Sequence, residues 1–207
     1  MLTILDLGCY RNDACLFKDL NLELSRGRLV HVKGNNGAGK TTLLRAVCGL
    51  TTPTSGKILW DGSDIREMRE EYNSKMIYLG HQPPVKNDLL VKENLEFALR
   101  SKGIAFTDEK IDQVLALNGL ERHKNTSARF LSQGQRYKLA LSILFFAGQP
   151  LWILDEPFGN LDVAASEVLE DLIIRHLDNA GLVIITSHAP LNIKESKTSI
   201  VNLSEVT

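Results

Sequence analysis

Apolar residues follow two patterns along the chain. Some form short continuous runs, which are typical of strands, and others recur every three or four residues, which is typical of helices. Short apolar runs predict strands at 29–33, 57–60, 76–79, 151–154, 182–186 and 199–203. The runs at 151–154 and 182–186 have no polar interruption, which is typical of strands buried on both faces of a parallel sheet. The predicted strands therefore lie towards the two ends of the chain.

A helical period dominates the middle of the chain. Apolar side chains recur every three or four residues at 91–99 and again at 111–115, which predicts two amphipathic helices. A third helix is predicted to follow Ser132 and to run to about Gly148, and another apolar stripe extends over 165–177. A helix is also expected after a glycine-dense segment that begins at residue 34.

These elements predict an α/β fold with a mostly parallel sheet and a helical insertion. We expect a single domain over 1–207, in which the core is formed by roughly 1–82 and 150–207 and a helical subdomain by roughly 83–149. A chain of 207 residues is long enough for one such domain.

Composition and charge exclude several classes of protein. The chain has 43% hydrophobic and 24% charged residues, which are globular proportions, and its 24 Lys and Arg balance 25 Asp and Glu. This balance offers no basic excess for nucleic acid. Three cysteines without a C-x-x-C pair argue against a disulfide framework or a zinc ribbon. The longest uncharged stretch, 139–154, is shorter than the about 20 residues of a spanning helix, and we expect no signal peptide.

A glycine-dense loop lies between a predicted strand and a predicted helix. It reads G-N-N-G-A-G-K-T from Gly34 to Thr41 and fits the phosphate-binding pattern G-x-x-x-x-G-K-[ST] in the context that this pattern requires. Its glycines let backbone N–H groups converge on one anion at a helix N-terminus. Lys40 is expected to reach the β and γ phosphates, and the Thr41 hydroxyl to ligate Mg²⁺. The predicted nucleotide contacts in this segment are Gly34, Asn35, Asn36, Gly37, Ala38, Gly39, Lys40, Thr41 and Thr42.

A second acidic element agrees with this loop. The apolar run 151–154 ends in Asp155 and Glu156, so a buried strand is expected to deliver two carboxylates to the edge of the sheet where α/β proteins bind ligands. There Asp155 would hold the metal ion across from Thr41, and Glu156 would polarise a water aimed at the γ phosphate. Up to this point the residues indicate a P-loop nucleotidase, and kinases and GTPases remain open.

Further segments resemble those of ABC ATPases and occur in the order of that family. Leu131–Gln135 (LSQGQ) resembles the LSGGQ signature, with Gln133 in place of a glycine. Gln82 follows a predicted strand, as the family's Q-loop glutamine does. Residues 159–162 (GNLD) resemble the D-loop, and His188 follows a buried strand as the switch histidine does. The resemblance covers nearly the whole chain.

The resemblance implies a RecA-like core, an antiparallel β element and a helical subdomain. It also implies that two copies pack head to tail when ATP is bound, forming a homodimer. Each ATP would lie between Lys40 of one copy and the signature segment of the other, whose contacting residues are Ser132, Gly134 and Gln135. Ser132 and Gln135 also fit a helix capping box, S-x-x-Q.

The same resemblance implies roles for residues outside the phosphate loop. Glu156 would be the general base, and His188 would orient the γ phosphate and the attacking water. Gln82 would sense the nucleotide and its metal ion and link the core to the helical subdomain, whose surface receives the membrane partner. Tyr10 is the candidate aromatic residue for stacking on adenine.

Local sequences narrow the resemblance to one group of ABC ATPases. YLGHQP around Gln82, PLWILDEPF at 150–158 and SHAPL at 187–191 are similar to segments of the CcmA family, which serves bacterial cytochrome c maturation. That family implies an ATPase held at the cytoplasmic face of the inner membrane by integral membrane partners of the CcmB and CcmC type. Its ATP cycle would support haem export, through haem delivery or release of a haem-loaded chaperone.

Other functions stay open at this point. The chain could serve another small ABC exporter, or it could be a soluble ABC ATPase that acts on nucleic acid or ribosomes. The second alternative usually needs two nucleotide domains or long inserted arms, which 207 residues do not accommodate. A P-loop kinase or GTPase would leave the LSQGQ segment unexplained, and no NKxD-type guanine reader is present in the sequence.

Overall fold

The computed structural model describes residues 1–11 and 14–205, and within these ranges the chain is an α/β protein. The strands are β1 (Leu2–Arg11), β2 (Ala14–Leu24), β3 (Leu29–Lys33), β4 (Ser55–Trp60), β5 (Ser63–Asp64), β6 (Met76–Leu79), β7 (Leu151–Asp155), β8 (Leu182–Thr186) and β9 (Thr198–Asn202). The α-helices are α1 (Lys40–Val47), α2 (Arg69–Ser74), α3 (Val91–Ser101), α4 (Asp108–Leu117), α5 (Gln133–Leu141) and α6 (Val163–Asp178).

The central sheet has the strand order β6–β7–β8–β3–β9. Strand β3 runs parallel to β8 and β9, and β7 runs parallel to β8, so the carboxyl ends of these strands meet at one edge. All five residues of β7 and all five of β8 are buried, as their uninterrupted apolar runs predict. This edge carries the residues at and just after Lys33, Asp155 and Thr186.

A second, antiparallel sheet has the order β2–β1–β4–β5. The apolar pattern did not predict β1 or β2, because register irregularities interrupt the alternation along β1. Asp6 and Asp19 adopt positive φ values of 46° and 50° at these irregularities. Asn21 stabilises the distortion by donating to the Asp6 carboxylate and to the Asp19 carbonyl.

Helix α5 is shorter than the sequence predicts. The predicted helix runs from Ser132 to about Gly148, whereas α5 ends at Leu141 and continues only as a 3₁₀ turn over Ser142–Phe145. The Ser142 hydroxyl donates to the Lys138 carbonyl at 2.9 Å, a local bond that competes with regular helical pairing. None of the described helices is long and apolar enough to cross a membrane.

The described chain divides into two compact units. The first unit contains 1–78, 149–156 and 173–207, and the second contains 79–148 and 157–172. The core of the first unit lies among buried side chains from the strands and from α1, including Val30, Leu44 and Ile184. That the chain forms a single ATPase domain stays a prediction.

Candidate active site

The loop between β3 and α1 has the backbone that the phosphate-binding pattern predicts. Gly34, Gly37 and Gly39 have positive φ values of 148°, 88° and 93°, a region that other residues rarely adopt. A Cβ at Gly39 would also lie 3.1 Å from the Cβ of Leu16, so the loop has little room for a larger residue there. No acidic side chain lies in the first turn of α1, which leaves the helix N-terminus available to an anion.

Lys40, the first residue of α1, folds back over this loop. Its Nζ donates to the carbonyl oxygens of Gly34 at 2.7 Å and Asn35 at 3.3 Å. The loop is also held from the C-terminal side, because the Asn35 N–H donates to the Ser204 hydroxyl at 3.2 Å. Sequence reasoning did not identify Ser204, which no motif marks and which lies 169 residues away.

Asp155 is the centre of a buried hydrogen-bond network. It is the last residue of β7, and only 2% of it is exposed. Its Oδ2 accepts a hydrogen bond from the Thr41 hydroxyl at 2.9 Å, and its Oδ1 accepts one from the Thr186 hydroxyl at 2.7 Å. The structure therefore brings together Thr41 and Asp155, the two residues for which the sequence predicts contact with one metal ion.

Glu156, the next residue, has an unusual backbone and a histidine neighbour. Its φ is +51°, and its N–H points to Thr186, with 2.8 Å to the hydroxyl and 3.2 Å to the carbonyl oxygen. The His188 N–H donates to Glu156 Oε2 at 3.2 Å, and His188 Nε2 lies 3.4 Å from Oε1. The predicted base and the predicted switch histidine are therefore neighbours.

Two ionisable side chains with shifted pKa values flank this network. Burial, followed by the negative charge of Asp155, raises the pKa of Tyr78 to about 12, so its phenol stays protonated. Burial lowers the pKa of His31, which favours a neutral ring. His31 Nε2 lies 2.9 Å from the Ser187 carbonyl oxygen, so the neutral tautomer that donates from Nε2 supports the segment leading into His188.

A polar cavity of about 540 Å³ adjoins the loop within the first unit. Its lining includes the cationic side chains of Lys33 and Lys40, which suits a phosphate-bearing ligand, together with the rings of His31 and His188.

The signature segment belongs to the second unit and starts α5. Ser132 and Gln135 form the capping box that their spacing predicts, with Gln135 N–H donating to Ser132 Oγ at 3.2 Å and Ser132 N–H to Gln135 Oε1 at 2.9 Å. The Gln135 amide nitrogen lies 3.1 Å from His123 Nε2, a contact that the sequence did not suggest. A Cβ at Gly134 would lie 3.1 Å from the Asn160 carbonyl oxygen, so this position favours glycine.

Tyr10, Gln82 and Thr42 are the remaining predicted site residues. Tyr10 is on β1, half exposed and paired with Cys15 of β2. Gln82 is exposed and belongs to the second unit, and Thr42 is in the first turn of α1. Their contacts with a nucleotide stay predictions.

Comparison with known proteins identifies the family. The profile of the ABC transporter family matches residues 17–159. The chain is 43% identical over 198 residues to the cytochrome c biogenesis ATP-binding export protein CcmA of Methylococcus capsulatus, covering 96% of this chain and 95% of that protein.

Solved structures share the fold. One, described as the ATP-binding subunit of an ABC transporter, superposes with a TM-score of 0.82 at 25% identity, covering 98% of this chain and 86% of the other. Another, a dimeric ATP-binding cassette in a post-hydrolysis state with ADP and Pi, gives a TM-score of 0.75 at 24% identity over 91% of this chain and 88% of the other. With the phosphate loop, the buried Asp155 and the signature segment, these likenesses establish that the chain belongs to the ABC transporter ATPase family and, within it, to the CcmA group of ATP-binding export proteins.

Proposed function

We propose that this chain is the ATP-hydrolysing subunit of a membrane export complex that serves cytochrome c biogenesis. The observation that carries the proposal is the network at the sheet edge, where Thr41 donates to Asp155 and His188 contacts Glu156. These are the groups needed to hold a nucleotide's metal ion and to activate a water. The near full-length likeness to CcmA supports the biological context.

The phosphate loop would bind the β and γ phosphates of ATP. Backbone N–H groups and the N-terminus of α1 supply partial positive charge, and Lys40 supplies a full one. In the described conformation the Lys40 ammonium is satisfied by the Gly34 and Asn35 carbonyls. We propose that a phosphate replaces these carbonyls as the partner of Lys40 when the nucleotide binds.

A magnesium ion fits the oxygen donors beside this loop. Thr41 Oγ1 and Asp155 Oδ2 are 2.9 Å apart, and hydroxyl and carboxylate oxygens are ligands that Mg²⁺ prefers. Within 1–11 and 14–205, no cluster of three or more His, Cys, Asp or Glu side chains is placed to hold a metal ion by itself. Phosphate and water oxygens would complete its shell, as is usual for Mg²⁺, and Gln82 is a further proposed ligand. When bound, the ion would neutralise charge on the phosphates.

Glu156 is proposed to act as the general base. Its carboxylate would take a proton from a water as the water oxygen bonds to the γ phosphorus and the bond from that phosphorus to the bridging oxygen of ADP breaks. The hydrogen bond from the His188 N–H to Oε2, and the His188 ring 3.4 Å from Oε1, would hold this carboxylate in place. His188 would also contact the γ phosphate, because its ring is 65% exposed and faces the polar cavity.

A second copy of the chain is proposed to complete the site. Ser132 and Gly134 lie at the exposed N-terminal end of α5, and the Ser132 hydroxyl remains a donor while it accepts from Gln135. In a head-to-tail homodimer these groups would meet the γ phosphate held by the other copy, together with Gln135. Tyr10 would stack on the adenine.

The proposed membrane partners and location are inferred from the likeness to the CcmA group. Integral membrane subunits of the CcmB and CcmC type are the proposed partners, at the cytoplasmic face of the bacterial inner membrane. Dimerisation on ATP binding, and release after hydrolysis, would drive haem delivery or the release of a haem-loaded chaperone.

The test has an enzymatic part and a cellular part. Glu156→Gln should abolish ATP turnover while it traps an ATP-bound dimer, detected by size-exclusion chromatography with light scattering. A Glu156→Gln chain that hydrolyses ATP normally would exclude Glu156 as the base.

A tagged chain recovered from membranes in mild detergent should bring down cytochrome c maturation subunits. Recovery of an unrelated permease instead would contradict the proposed role in haem export.

A further inference from the structure

Thr186 has no assigned role, yet it occupies the centre of the network around Asp155 and Glu156. It is the last residue of β8 and is fully buried, with 0% exposure. In the parallel register of β7 and β8 it lies directly beside Asp155. Paired residues on neighbouring strands point their side chains to the same face, so the threonine hydroxyl faces the carboxylate.

The Thr186 hydroxyl makes two hydrogen bonds of opposite sense. It donates to Asp155 Oδ1 at 2.7 Å and accepts from the Glu156 N–H at 2.8 Å. Because Thr41 donates to the other carboxylate oxygen at 2.9 Å, both oxygens of Asp155 are held and the rotation of the carboxylate is restricted. Thr186 therefore helps to fix the direction in which Asp155 presents its lone pairs.

The same hydroxyl supports the backbone of Glu156. The φ of +51° at Glu156 is uncommon for a residue other than glycine, so surrounding contacts must maintain it. The Glu156 N–H meets both the hydroxyl and the carbonyl oxygen of Thr186, at 2.8 Å and 3.2 Å. The direction of the Glu156 side chain depends on this conformation, because a change of φ would swing Cβ away from His188.

Few residue types can satisfy both neighbours at once. A carboxylate oxygen requires a donor and an amide N–H requires an acceptor, and a hydroxyl is a compact group that offers both. Valine has the same shape as threonine but offers neither, and it would leave two buried polar groups without this partner. The chemistry of the position therefore calls for serine or threonine.

We propose that Thr186 is a positioning residue for ATP hydrolysis, which orients Asp155 and Glu156 together through one hydroxyl. The inference rests on the roles proposed above for those two carboxylates. It implies that loss of the hydroxyl affects turnover far more than binding of the nucleotide, since the phosphate loop and Lys40 make no hydrogen bond to Thr186 among those described above.

The experiment compares Thr186→Val with Thr186→Ser in the full-length chain. Three properties are measured for each variant: kcat and KM for ATP at a protein concentration where wild-type specific activity no longer rises, affinity for a fluorescent ATP analogue in EDTA, and melting temperature. Thr186→Val should lower kcat by about 10- to 100-fold, the effect of a small misplacement of reacting groups. Its nucleotide affinity in EDTA should stay within about twofold of wild type, since magnesium and its ligands do not contribute there.

Thr186→Ser distinguishes the role of the hydroxyl in orienting the two carboxylates from the role of the side chain in core packing. Serine keeps the hydroxyl but loses a buried methyl group, so its melting temperature should fall while kcat stays within about threefold of wild type. If Thr186 only fills space, activity should instead follow the melting temperature, and serine should be the weaker enzyme. If Thr186→Val does not fold, Thr186→Ala takes its place with the same expected separation of kcat from affinity.

Two results would overturn the inference. One is a Thr186→Val or Thr186→Ala chain with wild-type kcat, and the other is a serine variant as inactive as the valine variant. A wild-type chain that does not hydrolyse ATP would instead defeat the proposed function itself. Hydrolysis that Glu156→Gln removes, together with an active valine variant, would leave the function standing and reject only the role of Thr186.

Discussion

Thr41 and Asp155 are 114 residues apart in sequence, yet a hydrogen bond of 2.9 Å joins the threonine hydroxyl to the aspartate carboxylate. One residue belongs to the first turn of α1 and the other ends β7. The contact fixes the relation between the helix that follows the phosphate loop and the strand that carries the acidic pair. It also holds the two oxygen atoms proposed as Mg²⁺ ligands side by side.

This contact predicts a magnesium-dependent effect of Thr41. Thr41→Val should weaken ATP binding about 10-fold in the presence of Mg²⁺, because a hydroxyl that serves a charged partner is lost, and should leave binding in EDTA nearly unchanged. Thr41→Ser is the matched control and should bind like wild type in both conditions. Isothermal titration with ATP, with and without Mg²⁺, checks the ratio of affinities. An equal loss in both conditions would show that Thr41 acts by packing.

Lys40 should determine the affinity for ATP itself. Lys40→Met keeps most of the aliphatic stem but removes the ammonium group, so ATP should bind about 10- to 100-fold more weakly with or without Mg²⁺. Lys18→Met, at an exposed position of β2, is a control that removes the same charge elsewhere. Wild-type affinity in the Lys40 variant, measured by the same titration, would contradict the proposed phosphate contact.

Two substitutions of Ser132 distinguish its helix-capping role from its proposed contact with the nucleotide. Aspartate is also a good N-cap residue, so Ser132→Asp should keep the free energy of unfolding within about 0.5 kcal/mol of wild type. Its negative charge would repel the γ phosphate, and ATP hydrolysis should fall about 10-fold or more. Ser132→Ala, by contrast, should lose about 1 kcal/mol of stability with the cap. Urea denaturation and ATPase assays on the two variants provide the comparison, and full activity of the aspartate variant would rule out the phosphate contact.

His176 should make stability depend on pH. Its ring stacks on Trp152 with centroids 3.9 Å apart, and burial lowers its pKa below the ordinary value of 6.5. The folded chain therefore disfavours the protonated ring, and the unfolded chain binds more protons as the pH falls below 6.5. His176 thus stabilises the fold fully above that pH and progressively less below it.

Replacement of His176 tests this pH dependence. His176→Phe should retain the aromatic stack and reduce the fall in melting temperature between pH 7 and pH 5, a window in which an unperturbed histidine titrates. His31, whose pKa is also lowered by burial, should maintain part of the slope. His81→Asn, which removes a histidine at an exposed position, provides the control. An unaltered slope in the phenylalanine variant would contradict the prediction.

Elements with local signals could be predicted from the amino-acid sequence alone. The glycine pattern before Lys40 required a tight loop between a strand and a helix, and the structure has that loop. Uninterrupted apolar runs identified β7 and β8 because both faces of a central strand are buried. The S-x-x-Q spacing of Ser132 and Gln135 predicted the capping box, since that bond spans a single helical turn.

The contacts between distant residues at the site could be found only in the folded chain. In the sequence, Thr186 is indistinguishable from the other β-branched residues of a buried strand. Its proposed role follows from the strand register that pairs it with Asp155. Ser204 and His31 support the loops at Asn35 and Ser187 through hydrogen bonds that no motif encodes. The physical reason is that periodicity and motifs reflect interactions between residues that are only a few positions apart in the sequence. Hydrogen bonds across more than 100 residues depend on strand order, register and burial, which only the folded chain defines.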